Sequence, residues 1–239
     1  MARLKKALVT GAAKGIGRAI ALDLASKGFD VAVHYNRSVS EAQEVAKSAA
    51  SCGVKALTLQ ADVTVPDQVR SLVGSAAERL GGLSVVVNNV GNYLKKPIEE
   101  VNVEEWHEIL NSNLNATFYV TQAALPHLKA AGWGRIVNLG FAGAQNLIAR
   151  PSIVPYAIAK TGIILYTKAL AKQLVKYKIT ANVVSPGVAE TSVSQPLDQI
   201  PCGRLASLDD LVRAVDFFIA PDSDYITGQV VEVAGGWNI

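Results

Sequence analysis

Tyr156 and Lys160 are the two side chains of this sequence that are best suited to proton transfer. They stand at positions i and i+4, so in a helix they share one face, one turn apart. A phenol has an ordinary pKa near 10 and exchanges its proton reluctantly at neutral pH. A nearby ammonium favours the phenolate, so we predict that Lys160 lowers the pKa of Tyr156 and that Tyr156 exchanges a proton with a reacting group. The alternative interpretation is an apolar-face tyrosine beside a solvated lysine.

A glycine-rich turn near the start of the chain has the chemistry of a phosphate-binding site. Gly11, Gly15 and Gly17 follow a short β-branched run and open a helical pattern. Glycine lets the backbone turn sharply and approach a pyrophosphate, and a helix N-terminus offers N–H donors. The spacing G-x-x-x-G-x-G differs from the G-x-G-x-x-G fingerprint of many dinucleotide sites. We predict a dinucleotide site here, the alternative being a tight turn with helix-ending glycines.

The motifs occur in the order found in the short-chain dehydrogenases/reductases, which this sequence resembles over essentially its whole length. The residues that carry the resemblance are Thr10-Gly11-x3-Gly15-x-Gly17, Asn88-Asn89-Val90-Gly91, Tyr156-x3-Lys160 and Pro186-Gly187, with Gly228 and Gly235-Gly236 near the end. Within the family the sequence is similar to the 3-oxoacyl-[acyl-carrier-protein] reductases. The resemblance implies an oxidoreductase of class EC 1.1.1 that reduces a carbonyl group to an alcohol by hydride transfer. It further implies that Tyr156 donates the proton and that Lys160 also binds the nicotinamide ribose.

The end of the second predicted strand indicates which nicotinamide cofactor is used. The segment His34-Tyr35-Asn36-Arg37-Ser38 lacks the acidic residue that binds an adenine ribose and repels a 2′-phosphate. Arg37 can bind a phosphate bidentately, and Lys14 adds a second positive charge. We therefore predict NADP(H), the alternative being two ordinary surface cations. By resemblance, the predicted cofactor-binding residues are Gly11, Lys14, Gly15, Ile16, Gly17, Asn36, Arg37, Ser38, Asp62, Val63, Asn89, Gly91, Tyr156, Lys160, Pro186, Gly187, Val188 and Thr191.

An asparagine on the fourth predicted helix completes the catalytic set that the resemblance implies. In the family, an asparagine followed by an apolar residue holds a water molecule that relays protons to the lysine. Asn113, followed by Leu114, fits this pattern best, and Asn115 is the second choice. Asn111 is out of register. The alternative is a polar residue at a helix kink.

One member of the family's catalytic set is missing from this sequence. The family carries a serine just after the fifth strand to hydrogen-bond the substrate carbonyl, and here Phe141 stands in its place. Gln145, Asn146 or Ser152 are candidate replacements. Losing one such donor typically costs about 10²–10³ in turnover, so catalysis would be weakened and not abolished. The second hypothesis is therefore an impaired NADP(H)-binding protein of the same fold that senses or binds a partner.

Short β-branched runs alternate with helical patterns along the chain. The predicted strands are Lys6–Thr10, Asp30–Tyr35, Lys55–Ala61, Ser84–Asn88, Arg135–Gly140, Ile179–Ser185 and Gln229–Val233. The predicted helices are Gly15–Lys27, Ser40–Ser51, Pro66–Leu80, Val103–Ala130 with a bend at Pro126, Val154–Tyr177 and Ser207–Ala220. Such alternation predicts an α/β fold: one Rossmann domain over residues 1–239, with a doubly wound, seven-stranded parallel sheet and helices on both faces.

A long apolar helix and a short loop near the end of the chain predict how the protein assembles and what shape its substrate site has. Val154–Tyr177 is more apolar than one sheet face requires, and by resemblance such helices pair between subunits, so we expect a homo-oligomer, a tetramer or a dimer. The segment from Thr191 to Pro201 is short for the family's substrate loop. A short loop suggests a small or open pocket, or a lid from another subunit. The expected substrate is a small carbonyl compound, with an acyl thioester as one candidate.

Composition argues against several other classes of function. The net charge is +3, with 23 basic and 20 acidic residues and no basic run, so we expect no nucleic-acid partner. Cys52 and Cys202 form neither a disulfide framework nor a metal pair, and His34, His107 and His127 have no metal-ligand spacing. We interpret these histidines as ordinary polar or helix-surface residues and expect no metal. We see no targeting segment and no span apolar enough for a membrane, so we expect a cytoplasmic protein.

Overall fold

The computed structural model describes residues 3–237, and its strands form one parallel sheet in the order β3-β2-β1-β4-β5-β6-β7. The strands are β1 Lys6–Val9, β2 Asp30–Tyr35, β3 Ala56–Gln60, β4 Val85–Asn88, β5 Gly134–Leu139, β6 Ile179–Pro186 and β7 Val230–Val233. The helices are α1 Gly15–Ser26, α2 Val39–Ala50, α3 Pro66–Leu80, α4 Val103–Leu110, α5 Ala116–Ala130, α6 Val154–Leu174 and α7 Leu208–Ile219. The predicted doubly wound seven-stranded fold is confirmed.

The central strands are buried on both faces, which explains their nearly continuous apolar sequence. Alternate residues of β1 point into two different cores. Ala7 and Val9 pack with α1, α2 and α7, whereas Leu8 packs with α3, α5 and α6. The helices therefore cover the sheet on both sides, as right-handed crossovers require.

The strand order reverses between β1 and β4. β1 pairs with β2 on one side and with β4 on the other, and the crossovers leave these two strands in opposite directions across the sheet. In open α/β sheets the crevice beyond the carboxyl ends of such neighbouring strands is the usual place for a ligand. The residues that follow β1, β4, β5 and β6 therefore meet at one edge.

The single helix predicted over Val103–Ala130 is wrong in its middle. A π-helical segment over Asn111–Asn115 separates α4 from α5, and Pro126 lies within α5. Thr117, at the start of α5, donates a hydrogen bond to the carbonyl of Asn113 at 2.8 Å, and Asn113 is buried. Short π-segments inside helices are frequent at functional sites, so the irregularity marks Asn113 for closer inspection.

Two helices, α4 and α7, begin with a capping box. Asn102 and Glu105 form a capping box at α4, and Ser207 and Asp210 form another at α7. Each box satisfies backbone N–H groups that would otherwise lack acceptors. The predicted helix over Val154–Tyr177 ends its α-helical part at Leu174 and continues as a short 3-10 turn.

Within residues 3–237, no helix is both long enough and apolar enough to span a membrane. The same residues contain no group of three histidine, cysteine or acidic side chains placed to hold a metal ion.

Candidate active site

A cleft of about 630 Å³ opens at the carboxyl ends of the strands. It brings together residues that are far apart in the sequence: Ile16 within the glycine turn, Asn89 and Gly91 after β4, and Tyr156 and Lys160 on α6. Residues of the segment after β6 form the opposite wall, among them Gly187, Val188 and Thr191. The cleft thus unites nine of the nineteen residues that the sequence predicts for the site, among them Tyr156 and Lys160.

Tyr156 lies between two aromatic rings. Its ring contacts Tyr93 edge-on at 5.0 Å between centroids and Phe141 at 5.4 Å. Burial, with a smaller contribution from Tyr93, raises the pKa of Tyr156 well above its ordinary value of 10. The lowering predicted from Lys160 is not found among the protein's own side chains, because the loss of water around the phenol dominates its pKa. The hydroxyl keeps its proton across the physiological pH range.

Lys160 is buried one turn further along α6. Its Nζ donates a hydrogen bond to the carbonyl of Leu139 at 2.8 Å and lies 5.5 Å from the centre of the Tyr156 ring. Burial lowers the pKa of Lys160 to about 8, because the charged ammonium has lost its water. Lys160 is therefore both the nearest cation to Tyr156 and a group that titrates near neutral pH.

Asn113 lies against the same glycine as Lys160. A Cβ atom placed on Gly91 would come within 2.2 Å of Asn113 Oδ1 and within 3.4 Å of Lys160 Nζ, so only glycine fits between them. The Asn113 amide donates to the carbonyls of Asn92 at 2.9 Å and Ile109 at 3.0 Å. Its Oδ1 is buried and has no hydrogen-bond partner within residues 3–237. Asn115, the second choice, is instead hydrogen-bonded to Asn111 at 2.6 Å.

The glycine turn has the close packing that a dinucleotide cradle needs. Gly11 and Gly15 have φ of 62° and 52°, a region that glycine adopts easily. A Cβ on Gly17 would come within 2.4 Å of the Gly11 carbonyl oxygen and 2.6 Å of Asn89 Nδ2. Asn89 Nδ2 donates to the carbonyls of Thr10 and Gly11 at 3.0 and 3.2 Å. The turn and the N-terminus of α1 therefore fit a pyrophosphate group.

His34 supports this turn from β2, a role that the sequence did not reveal. The prediction of an ordinary polar or helix-surface histidine is wrong for this residue, which is buried in the sheet. Its Nδ1 accepts a hydrogen bond from Gly11 N at 3.0 Å, and its Nε2 lies 3.1 Å from the carbonyl oxygen of Ala61. Burial lowers the pKa of His34, so the neutral ring accepts at one nitrogen and donates at the other.

The two cations expected at the 2′-phosphate position each have an acidic neighbour. Lys14 Nζ lies 2.7 Å from Glu41 on α2, and this pair lowers the pKa of Glu41 to about 2. Arg37 is exposed, and it contributes to the lowered pKa of Asp62, which is caused first by hydrogen bonds from Thr64. Glu41 on α2 was not anticipated as a partner for Lys14, because only the fold brings the helix next to the glycine turn.

The remaining predicted cofactor residues follow strands β2, β3 and β6. Asn36 and Ser38 lead from β2 into α2, and Asp62-Val63 follow β3, with Asp62 Oδ1 accepting from Thr64 N at 2.9 Å. Gly187 N donates to the Val233 carbonyl at 2.9 Å, which ties the start of the loop after β6 to β7. A Cβ on Gly187 would approach Ala234 Cα to 2.7 Å, so glycine is required there.

Phe141 occupies the cleft where the family's serine is expected. Of the three candidate replacements, Ser152 lines the cleft, whereas Gln145 and Asn146 are exposed and do not line it. Three further lining residues, Tyr93, Arg150 and Trp237, were not singled out from the sequence. Tyr93 lies two residues after Gly91, and Arg150 lies on the loop before Tyr156. Their short separation in sequence from these motif residues is the signal that could have identified them as site residues.

Comparison with known proteins finds reductases that are similar to this chain over nearly its full length. A family model described as enoyl-(acyl carrier protein) reductase matches residues 11–238. The chain is 34% identical to a 3-oxoacyl-[acyl-carrier-protein] reductase of Staphylococcus aureus over 99% of both chains. It is 35% identical to a hydroxynaphthalene reductase-like protein of Metarhizium robertsii over 97% of this chain and 94% of that one.

Two solved structures are similar over nearly the full length. A short-chain dehydrogenase from Burkholderia cenocepacia, solved in complex with NADP, has a TM-score of 0.93 and 34% identity and covers 100% of both chains. A blue fluorescent protein from a metagenomic library, solved in complex with NADPH, has a TM-score of 0.92 and 33% identity and covers 98% of both chains.

Proposed function

Since the chain belongs to the short-chain dehydrogenase/reductase family and is an oxidoreductase, we propose that it reduces a carbonyl group to an alcohol with NADPH. The observation that carries this proposal is the placement of Tyr156 and Lys160 in the same cleft as Ile16, which lies within the glycine turn. The raised pKa of Tyr156 keeps its hydroxyl protonated at neutral pH, so the proton is present when a carbonyl oxygen needs one. A small ketone or an acyl thioester is the proposed substrate class.

The chain's own residues fit a bound NADPH along the whole edge of the sheet. The glycine turn and Ile16 would hold the pyrophosphate, and Arg37 would hold the 2′-phosphate, with Lys14 as a second cation. Asp62-Val63 would hold the adenine, and the segment around Asn89 and Gly91 would border the ribose. Lys160 would bind the nicotinamide ribose, and the wall from Pro186 to Val188 with Thr191 would border the nicotinamide. When bound, NADPH supplies the hydride.

Tyr156 supplies the proton that balances the hydride. The carbonyl carbon gains the hydride and the carbonyl oxygen takes the phenolic proton, so the double bond becomes a C–OH group and Tyr156 becomes a phenolate. The Lys160 ammonium, 5.5 Å from the ring centre, stabilises that phenolate. Tyr156 would be reprotonated by way of Lys160. Asn113 Oδ1 lies against Gly91 together with Lys160 Nζ and is an acceptor with no partner in the described chain, so it would hold a water molecule that passes a proton from solvent to Lys160 and on to Tyr156.

The test is the oxidation of NADPH by the purified protein with 3-oxoacyl thioesters, diketones and quinones. We expect turnover with at least one class, faster with NADPH than with NADH, because Arg37 favours the 2′-phosphate. Arg37→Asp should remove or reverse this preference by about tenfold or more, since one charge-assisted contact contributes about 1.5–3 kcal/mol. Arg70→Asp, an exposed arginine on α3, is the matched control. Equal rates with both cofactors would contradict the NADP(H) assignment, and NADPH binding without turnover of any carbonyl would favour the alternative of a sensing protein.

We also propose that the protein forms a tetramer or a dimer through α5 and α6. Phe118 and Leu165 expose 43% and 71% of their surfaces on these helices, and the ring of Phe118 lies 5.7 Å from that of Tyr166. An exposed apolar face of this kind marks an interface. Light scattering at micromolar concentration should show an oligomer, and Leu165→Glu should dissociate it. A native protein that scatters as a monomer would contradict this proposal.

We further propose a cytoplasmic location, because Cys52 and Cys202 are free and exposed thiols, which suits a reducing compartment.

A further inference from the structure

Arg150 has an unusual environment in the cleft beside Tyr156. Its guanidinium carbon lies 5.1 Å from the centre of the Phe141 ring and 5.9 Å from that of Trp237. Its Nη2 is buried and has no hydrogen-bond partner within residues 3–237. A guanidinium is always charged and offers five donors, and a buried donor without an acceptor is costly. We propose that Arg150 binds a negatively charged group of the substrate, so that the substrate is a carbonyl compound bearing a carboxylate or a phosphate.

The charge of the cleft agrees with an anionic substrate. Three cations line it, Lys95, Arg150 and Lys160, and none of the lining side chains in the described part of the chain is acidic. Lys160 is hydrogen-bonded to Leu139 and adjoins Tyr156, which leaves Arg150 and Lys95 to act on a ligand. Walls of one charge raise the local concentration of the opposite charge.

The position of Arg150 sets how far the charge of the substrate stands from its carbonyl group. Phe141 contacts both Arg150, at 5.1 Å, and Tyr156, at 5.4 Å, so a single ring separates the guanidinium from the phenol. Arg150 also acts electrostatically on Tyr93, where it opposes the burial that raises the pKa of that residue. Tyr93 is itself in edge contact with Tyr156. A substrate held by both Arg150 and Tyr156 therefore spans the Phe141 ring, with its anion at the guanidinium and its carbonyl group at the phenol.

This assignment also gives Phe141 a role. The residue that replaces the family's serine is the platform on which the guanidinium rests, together with Trp237. Aromatic faces attract a weakly hydrated guanidinium. Phe141 thus cannot donate a hydrogen bond to the substrate carbonyl as a serine would. It instead positions the Arg150 guanidinium, which acts on the anionic group of the substrate.

The inference rests on the proposed function for turnover, but binding tests it separately. Calorimetry with NADP⁺ present should show 3-hydroxybutyrate binding more tightly than its methyl ester, and hydroxyacetone phosphate binding more tightly than hydroxyacetone. The larger of the two differences identifies the carboxylate or the phosphate as the preferred anion. Arg150→Met keeps the length of the side chain and removes its charge, and should weaken binding of the preferred anion by about 10–100-fold. It should leave binding of the neutral counterpart within about twofold of native. Arg150→Lys should restore part of the affinity.

Arg213→Met, which removes an exposed arginine on α7, is the matched control and should change neither affinity. Turnover of acetoacetate, of its methyl ester and of acetoacetyl-N-acetylcysteamine, a neutral thioester, is measured in parallel. Anion binding that depends on Arg150, without turnover, would support the inference and count against the proposed function. Equal affinity for the charged and neutral members of both pairs, or charge preference that persists in Arg150→Met, would overturn the inference. Turnover of the neutral thioester would then still support the reductase.

Discussion

Tyr156→Phe should lower carbonyl reduction by about 10³-fold or more, because general acid catalysis contributes about 10²–10⁴ and this hydroxyl, beside Lys160, is the proton donor that we propose. The change removes only the oxygen atom. The ring contacts with Tyr93 and Phe141 should therefore survive, together with the fold of the cleft. The measurement is steady-state NADPH oxidation on the best substrate, paired with NADPH affinity from fluorescence titration, which should stay within about threefold of native.

The control is Tyr225→Phe, which removes a hydroxyl from a fully exposed tyrosine and should leave turnover unchanged. Thermal unfolding of both variants separates a catalytic defect from a folding defect. Native turnover in Tyr156→Phe would refute its assignment as proton donor. A loss of turnover together with a lost NADPH site would instead indicate that the hydroxyl organises the cleft.

Lys160→Met should lower turnover by about 10²-fold or more and should also weaken NADPH binding, because the same ammonium stabilises the Tyr156 phenolate and binds the nicotinamide ribose. The native enzyme should lose turnover as the pH rises through about 8, since burial lowers the pKa of Lys160 to about 8 and its charge is lost above that value. The pKa of Tyr156 is raised, so that tyrosine does not titrate in the same range. The pH profile of kcat measures this limb.

In Lys160→Met the limb near pH 8 should disappear, because the titrating group is gone. The control is Lys168→Met, at an exposed position two turns further along α6. It should keep the native pH profile of kcat if the loss of turnover near pH 8 is caused by Lys160. A limb near pH 8 that persists in Lys160→Met would assign the titration to another group. Unchanged NADPH affinity in that variant would contradict the ribose contact while leaving the electrostatic role intact.

The strands and the glycine turn were readable from the sequence because their causes are local. Val85-Val86-Val87 is apolar on both faces, which is typical of a central parallel strand, and β4 has all four residues buried. Gly11 and Gly17 stand between a strand and a helix, and their freedom from a Cβ atom is a property of the residue itself. The order of motifs along the chain likewise indicates the family without any contact being known.

The helices were readable except where a buried polar group changes the hydrogen-bonding pattern. The segment Asn111–Asn115 becomes π-helical between α4 and α5, where Asn113 reaches the carbonyls of Asn92 and Ile109. Helical periodicity alone predicts an uninterrupted helix, because it depends on the spacing of apolar residues. It contains no information about an Asn113 side chain that donates to backbone carbonyl groups.

The electrostatics of the site were decided by the tertiary structure. Lys160 lies next to Tyr156, as the spacing predicts, yet the pKa of Tyr156 is raised because Tyr93 and Phe141 pack against its ring and exclude water. Desolvation depends on every element packed around a group, and no spacing rule contains that information. His34 follows the same logic, since its burial and its bond to Gly11 arise only when β2 lies beside β1.

Charge partners are equally a product of the fold. Lys14 meets Glu41 only because α2 packs near the glycine turn, and Arg150 reaches the cleft only because its loop lays the guanidinium on Phe141 and Trp237. The sequence by itself determined the family and the alternation of strands and helices along the chain, because each depends on residue type at short spacing. The tertiary structure decided which groups are buried, paired or left with free donors, because burial and Coulomb energies depend on three-dimensional distance.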